Sequence, residues 1–252
     1  MKYNLGEINE LKFVKYLHLK KVCDLNPMFL NFITNIFDNI KETDLIQCYK
    51  NIYPTKTDIF VKINKQQKRI SIKMGYNNSV HIEPISSFIH FLIENNIDKD
   101  IVMKYLKFHY ADGTTNGTGI KRLSASEYKK IHQDEIDCIN KIFNDNDLIK
   151  KAINRFILQG RNSKYEVDVI IHGTPEDFLW IKKDDIYKIM LNNNYYSTGV
   201  HFGKLFCQPQ DRCINHNHLY EKKRFCVQIK WYSLFDDIIE NMNNNICSLM
   251  DN

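Results

Sequence analysis

The sequence predicts an α/β protein with one large domain or two small ones. Three observations support this fold class: helical spacing of apolar residues in 5–50, two short strand-like alternations in 54–75, and mixed strand and helix patterns in 165–232. Of the 252 residues, 43% are hydrophobic and 12% are aromatic. This apolar content is sufficient for a core and too high for a disordered chain.

Helices and strands can be assigned along the chain from apolar spacing and capping residues. Residues 5–22 and 27–50 are predicted to be helical, with Pro27 in the first turn of the second helix. After the strand pair, residues 84–108 predict one or two helices broken near Asn95 and Asn96. A helix capped by Ser124 or Ser126 follows. Then come a strand at 165–173, a short strand and helix at 174–191, and two strands at 200–208 and 224–232.

The segment HYADGTTNGTGIKR, residues 109–122, is the clearest break in these patterns, and it contains three of the nine glycines. We therefore predict two parts, 1–110 and 111–252, which could also pack as one domain. The segment ends with Lys121 and Arg122, and such a loop would suit contacts to phosphate groups. A plain connector is the alternative interpretation.

The charge and the cysteine content indicate which binding partners and which cellular compartment to expect for the chain. The net charge is +5, and basic residues concentrate in 201–231, which favours either a polyanionic partner or a solvated surface. Seven scattered cysteines and an N-terminus without an apolar signal core predict reduced thiols and a cytoplasmic location. The apolar run FIHFLI is too short to span a bilayer, so no membrane partner is expected.

The segment PTKTDIFVKINKQQKRISIKMG, residues 54–75, predicts a hairpin with one apolar and one polar face. A tight turn at Lys65 and Gln66 would place Asp58 opposite Lys73, with Ser71 on the same face. The opposite face is apolar and contains Ile59, Val61, Ile63, Ile70 and Ile72. An exposed cross-strand ion pair is the simpler interpretation of Asp58 and Lys73.

The polar face also has the residue types of a metal-dependent phosphodiesterase. A carboxylate binds a hard divalent cation, and a nearby lysine orients water and stabilises charge on phosphorus. Glu10 lies on the apolar face of the first helix, where an unpartnered carboxylate is unusual. Glu83, predicted at the start of the next helix, is the rival second carboxylate, and Glu7 is a weaker choice.

The motifs GEINE and PTKTD…SIK resemble those of the PD-(D/E)XK nuclease superfamily, and within it the small type II restriction endonucleases. Gly6 and Glu10 match the helix pattern, Asp58 matches the aspartate of the hairpin, and Ser71 and Lys73 match the triplet on the next strand. Ser71 stands where the family usually has an acid. The resemblance implies a restriction-endonuclease-like core, in which helices flank a mixed sheet, and a mainly β/α C-terminal part that recognises DNA.

The same resemblance implies the chemistry and its residues. It implies Mg²⁺-dependent hydrolysis of duplex DNA at a short specific sequence, with Mn²⁺ able to substitute. Asp58, Glu10 and the carbonyl of Ile72 would bind the metal, and Lys73 would position the attacking water. Because Ser71 replaces the usual acid, the second carboxylate could be Glu10 or Glu83. A homodimer and a cognate DNA methyltransferase in the host are further implied partners.

Candidate DNA contacts follow from three regions: the segment directly after Lys73, the end of the glycine-rich loop, and the basic C-terminal strands. They are Asn78, His81, Lys121, Arg122, Lys204, Gln208, Arg212, Arg224 and Lys230. A zinc site is not expected, because the nearby cysteines and histidines lack paired ligand spacing; they are Cys207, Cys213, His216, His218 and Cys226.

Two other functions stay open at this point. The chain could be a non-catalytic DNA-binding regulator with a degenerate nuclease fold, or a nuclease for branched or damaged DNA. Specific cleavage of a plain duplex would separate these functions from a restriction endonuclease.

Overall fold

The computed structural model describes residues 4–75, 78–161, 163–191, 199–210 and 218–250. In chain order the helices are α1 (Leu5–Leu17), α2 (Pro27–Ile36), α3 (Ile85–Glu94), α4 (Lys99–Tyr110), α5 (Ala125–Phe143), α6 (Asn146–Ile153), α7 (Lys183–Met190) and α8 (Leu234–Met250). The strands are β1 (Ile46–Lys50), β2 (Ile59–Ile63), β3 (Gln66–Lys73), β4 (Ser79–Pro84), β5 (Val169–Thr174), β6 (Asp177–Lys182), β7 (His201–Phe202), β8 (Leu205–Pro209) and β9 (Cys226–Trp231). Short helical segments of other types are Val22–Asp24, Asn154–Gln159 and His218–Phe225.

The chain forms two compact units, each built from separate segments. The first unit comprises residues 1–77, 154–189 and 234–252, and the second comprises 78–153 and 190–233. The predicted division at residue 110 does not coincide with these units. The reason is strand pairing: β5 joins β3 in one sheet, while β9 joins β4 in the other.

The first unit contains a mixed five-stranded sheet in the order β1-β2-β3-β5-β6. Only the β3–β5 pair is parallel among these strands. Helices α1 and α2 contribute apolar side chains to the core on one face of the sheet, which includes Phe13, Leu17, Phe29, Phe32, Ile59, Val61, Ile63, Ile70 and Ile72. The predicted α/β class with a mixed sheet and flanking helices is therefore confirmed.

The predicted hairpin is present as β2 and β3, but its register differs from the prediction. Ile63 pairs with Gln66, so the turn consists of Asn64 and Lys65 rather than Lys65 and Gln66. Asn64 adopts a left-handed conformation with φ of 53°, which asparagine tolerates better than most residues. The ladder consequently places Asp58 beside Ser71 instead of opposite Lys73.

The second unit contains an antiparallel sheet in the order β4-β9-β8-β7. Aromatic side chains fill its core: the rings of Phe143 and Phe202 stack at 4.2 Å between centroids, and those of Phe88 and Tyr105 at 4.7 Å. The segment before α3 was not predicted as a strand, and the expectation that Glu83 begins a helix is wrong. This segment forms β4 and pairs with a strand about 150 residues later in the chain.

The remaining helices differ from or agree with the predicted ones as follows. The predicted helix over 27–50 ends at Ile36, and residues 46–50 form β1 against β2. The break between α3 and α4 at Asn95 and Asn96 is confirmed, and Ser124 caps α5. No helix in the described ranges is long and apolar enough to cross a membrane.

Candidate active site

Asp58 lies immediately before β2 and is held by the adjacent strand β3. Its Oδ2 atom accepts hydrogen bonds from the Ile72 backbone N–H at 2.6 Å and from the Ser71 hydroxyl at 3.1 Å. The Asp58 main chain is also fixed, because its N–H donates to the Ile70 carbonyl and its carbonyl accepts from Asn51. The carboxylate is thus oriented at one end of the sheet and stays half-buried.

Ser71, which replaces the usual acid of the motif, has a defined contact. Its side chain is 1% exposed and its hydroxyl donates to Asp58. The geometry therefore makes Ser71 a positioning residue for the aspartate.

Lys73 ends β3 and lies next to His172 of β5 in the parallel register. Strand alternation places it on the same face as Ser71. Within the described ranges, its ammonium group forms no hydrogen bond or ion pair. Asp58, Ser71 and Lys73 thus lie at one end of the first unit's sheet, where β2 begins and the neighbouring strand β3 ends, with the lysine half-buried.

A lysine that the sequence analysis did not single out lies between the acidic residues of this site. Lys50 ends β1, and its Nζ is 3.0 Å from Glu10 Oε2 and 3.8 Å from Glu7 Oε1. Burial raises the pKa of Glu10, the negative charges of Asp58 and Glu7 act in the same direction, and Lys50 opposes them. Glu10 therefore pairs directly with Lys50, in surroundings that otherwise disfavour its charged form.

The position of Glu10 depends on how α1 is anchored. A capping box between Asn4 and Glu7 begins the helix. One turn later, the buried Asn9 donates from Nδ2 to the Gly173 carbonyl at 2.9 Å, which ties α1 to the end of β5. Gly173 has φ of 130°, and a Cβ there would lie 2.3 Å from the Asp177 carbonyl oxygen, so only glycine fits. These contacts hold α1 across the end of the sheet where Lys73 is found.

The acidic residues fit a hard divalent cation with few protein ligands. Within the described ranges, no group of three or more His, Cys, Asp or Glu side chains is arranged to hold a metal ion. Mg²⁺ commonly binds through one or two carboxylates and keeps several waters. Asp58 and Glu10 supply two carboxylates; burial raises the pKa of Glu10, and the negative charge of Asp58 adds to this effect. A cation would oppose that effect.

Comparison with known proteins identifies the fold. No protein-family model and no curated protein sequence matches the chain. Among solved structures, the chain is similar to the restriction endonuclease MspI in complex with its cognate DNA, with a TM-score of 0.55 and 10% identity over 90% of this chain and 88% of that one. The chain has a restriction-endonuclease-like fold. At this level of identity, the similarity concerns the fold alone.

Glu83, the rival second carboxylate, does not begin a helix as predicted. It lies in β4 opposite Val227, is 3% exposed, and its Oε2 is 3.2 Å from His81 Nε2. Burial raises the pKa of the Cys207 thiol well above its usual value, and the Glu83 charge adds to this effect. Glu83 is thus enclosed inside the second unit. His81 faces the same interior, which does not support its predicted contact with DNA.

Two predicted DNA-binding arginines instead hold the glycine-rich loop and its surroundings. Arg122 is 4% exposed, and its guanidinium donates to the carbonyls of Tyr110 at 2.8 Å and His109 at 3.0 Å. The prediction that Arg122 contacts DNA is therefore not supported, because its donors are used in the interior. Arg224 is half-buried and donates to the Gly117 carbonyl at 3.0 Å. Lys121 is exposed, and its contact with DNA stays a prediction.

The outward face of the second sheet carries polar side chains. Gln208 of β8 lies directly opposite Gln228 of β9, and Lys230 follows two residues later on the same face. The Lys230 ammonium is 5.4 Å from the centroid of the Tyr232 ring, and Asn78 Nδ2 donates to the Tyr232 carbonyl. Gln228 was not predicted as a site residue, although strand alternation would have placed it beside Lys230.

The remaining candidates are only partly described. Lys204 is half-buried in the turn between β7 and β8. Arg212, Cys213 and His216 lie outside the described residues. The expectation that the Cys/His loop binds no zinc accordingly stays a prediction.

Proposed function

We propose that this chain is a Mg²⁺-dependent type II restriction endonuclease that hydrolyses phosphodiesters of duplex DNA at a short specific sequence. The observation that supports it most is the contact of Asp58 with Ser71 and Ile72, because it joins the aspartate to the strand that ends in Lys73. The restriction-endonuclease-like fold agrees with this proposal.

The chemistry follows from the side chains at this end of the sheet. Asp58 and Glu10 would hold the cation, with the carbonyl of Ile72 as a further ligand. When bound, Mg²⁺ or Mn²⁺ polarises the phosphate and lowers the pKa of a bound water. Lys73 orients the attacking water and stabilises the charge that develops on the phosphate.

Lys50 has a role in the protein without metal. Its ammonium group lies between Glu10 and Glu7 and offsets the repulsion among the carboxylates. We propose that this contact keeps the acidic side chains close together until a cation binds.

The proposed partner is duplex DNA, as in the cognate-DNA complex of MspI. The outward face of the second sheet supplies Gln208, Gln228 and Lys230. Glutamine amides can pair with adenine edges, and lysine can bind guanine or phosphate. The proposal includes a homodimer that cuts both strands, a host methyltransferase that protects the same sequence, and a cytoplasmic location.

The decisive experiment is incubation of the purified protein with unmethylated phage DNA and Mg²⁺. Discrete fragments that disappear in EDTA and in Ca²⁺ are the expected result, since Ca²⁺ binds oxygen ligands with different geometry. A smear would indicate cleavage without sequence specificity, and preference for branched or damaged substrates would indicate a repair-type nuclease.

A non-catalytic DNA-binding regulator is the second candidate, because Ser71 replaces the acid of the motif. Tight binding to a specific sequence without cleavage in Mg²⁺ or Mn²⁺ would support it.

A further inference from the structure

A cavity of about 640 Å³ lies on the polar face of the first unit's sheet. The loop between β1 and β2 forms one wall, and Ser163, Lys164 and Tyr165 form the other. Phe60 of β2 and its cross-strand neighbour Arg69 of β3 form the floor. None of these lining residues was predicted as a catalytic, metal-binding or DNA-binding residue.

The loop wall is held in place from inside. Asn51 is buried, and its Nδ2 donates to the Thr55 hydroxyl and to the Thr57 carbonyl, each at 2.8 Å. Its Oδ1 accepts from the Tyr53 N–H at 3.1 Å. The loop therefore presents Tyr53 to solvent, with the residue 71% exposed.

The opposite wall exposes a second tyrosine beside a cation. Tyr165 is 66% exposed, and the guanidinium carbon of Arg69 is 4.6 Å from its ring centroid. The Ser163 hydroxyl accepts from the Tyr165 N–H and donates to its carbonyl, which fixes this short segment. Exposed aromatic rings on two walls of one cavity provide stacking surfaces for a planar ligand.

The charge of the lining selects an anionic ligand. Its residues include the cations Arg69 and Lys164 and no acidic side chain. The Arg69 main chain is held by Asp168, whose Oδ2 accepts from the Arg69 N–H at 2.7 Å. Cations for phosphate combined with tyrosine rings for a sugar or base are the features of a nucleotide subsite.

The cavity lies close to the candidate active site on the same strands. Arg69 precedes Ser71 by two residues, so the two side chains lie on one face about 7 Å apart along β3. A single DNA strand advances about 3.4 Å per nucleotide along the duplex axis. The cavity is therefore one or two nucleotides from the point where Asp58 and Lys73 would meet the scissile phosphate.

We infer that this cavity binds one nucleotide of the cleaved strand, one or two steps from the scissile phosphate. Arg69 and Lys164 bind its phosphate, and Tyr53 and Tyr165 contact its sugar or base. This inference rests on the proposed function and adds the position and chemistry of a substrate contact beside the reaction centre.

The test couples a protein change to a DNA change. Duplexes containing the sequence found by phage-DNA digestion receive one uncharged methylphosphonate at each position within three nucleotides of the cut. Affinity is measured in Ca²⁺ for the wild type, for Arg69→Gln/Lys164→Gln, and for the control Lys15→Gln/Lys65→Gln. The control removes the same charge from exposed positions on α1 and in the β2–β3 turn.

We expect one position, one or two nucleotides from the cut, at which the methylphosphonate changes DNA affinity differently among the proteins. There it should lower the affinity of the wild type and of the control about tenfold, and that of the Arg69/Lys164 variant less than threefold. Equal weakening of all three proteins at every position would overturn the inference while leaving the proposed function intact. A wild type that neither binds nor cuts duplex DNA would refute the proposed function itself.

Discussion

Replacing Ser71 with alanine tests how the aspartate of the site is held. The serine side chain is 1% exposed, and its hydroxyl donates to Asp58 Oδ2 at 3.1 Å. The Ile72 N–H, at 2.6 Å from the same oxygen, would remain. The alanine variant therefore keeps one of two anchors, and the Asp58 carboxylate gains freedom to rotate away from the position proposed for metal binding.

The size of the effect follows from the kind of hydrogen bond that is lost. A hydrogen bond to a charged group contributes about 1.5–3 kcal/mol. If that contribution holds the carboxylate in its reactive position, kcat/KM should fall roughly ten- to a hundredfold. The free energy of unfolding should fall by only about 1 kcal/mol, because water can replace the donor at a half-buried carboxylate.

The assay compares kcat/KM on a plasmid with a single cleavage site. Ser71→Thr keeps the hydroxyl and suits a strand, so it should retain several times more activity than alanine. Ser86→Ala, at an exposed position of α3, is the neutral control. Alanine and threonine variants that are equally active, or equally impaired, would refute a positioning role for the hydroxyl.

Three further predictions concern the second carboxylate, pH and DNA. Glu10→Gln should abolish most cleavage and lower Mg²⁺ affinity measured by calorimetry, whereas Glu83→Gln should do less, because Glu83 is enclosed against His81; the reverse order would move the metal site to Glu83. The pKa of Glu10 is raised in the folded protein, so its contribution to stability is greatest below its unfolded pKa and is lost as pH rises through the folded pKa. The free energy of unfolding in urea should therefore change less between acidic and neutral pH in metal-free Glu10→Gln than in the metal-free wild type. An equal pH dependence in the two proteins would contradict this. Lys230→Gln should reduce the salt dependence of DNA binding by about one unit of slope if it contacts phosphate, and unchanged slope and specificity would place the contact surface elsewhere.

Apolar spacing in the sequence correctly predicted the helices and strands that are determined by residues close together in the chain. The alternation in β2 and β3 and the apolar stripe of α1 are properties of short segments, and both are present in the structure. Their mutual geometry was less predictable. The hairpin register depends on whether Asn64 enters the left-handed region, and that single dihedral choice decides which residue faces Asp58.

Two strands were missed, for different reasons. Strand β1 was predicted as helix because the preceding residues are apolar at helical spacing, and β4 was not predicted as a strand because its partner β9 is far along the chain. Lys50 could not be recognised beside Glu10 while its strand was assigned as helix. The same non-local pairing explains why the units do not follow the glycine-rich break.

The direction of side chains was the least predictable feature of the candidate DNA surface. Arg122 looked like a loop cation, but the carbonyls of His109 and Tyr110 converge on its guanidinium and bury it. His81 was predicted as a polar DNA contact after Lys73, but a β-bulge between Ser79 and His81 accompanies its placement opposite the buried Ile229. The groups that contact the buried Arg122 and His81 side chains cannot be identified from the neighbouring sequence.

The most direct test of the central claim is the cleavage rate of Asp58→Ala and Lys73→Ala on a plasmid that the wild type cuts in Mg²⁺, with Lys65→Ala as the control at the exposed hairpin turn. If these residues form the reaction centre, each of the two variants should lose cleavage by at least about a thousandfold, while duplex binding and the unfolding midpoint stay close to wild type. The control should cut normally. Cleavage at the wild-type rate by either Asp58→Ala or Lys73→Ala would contradict the account.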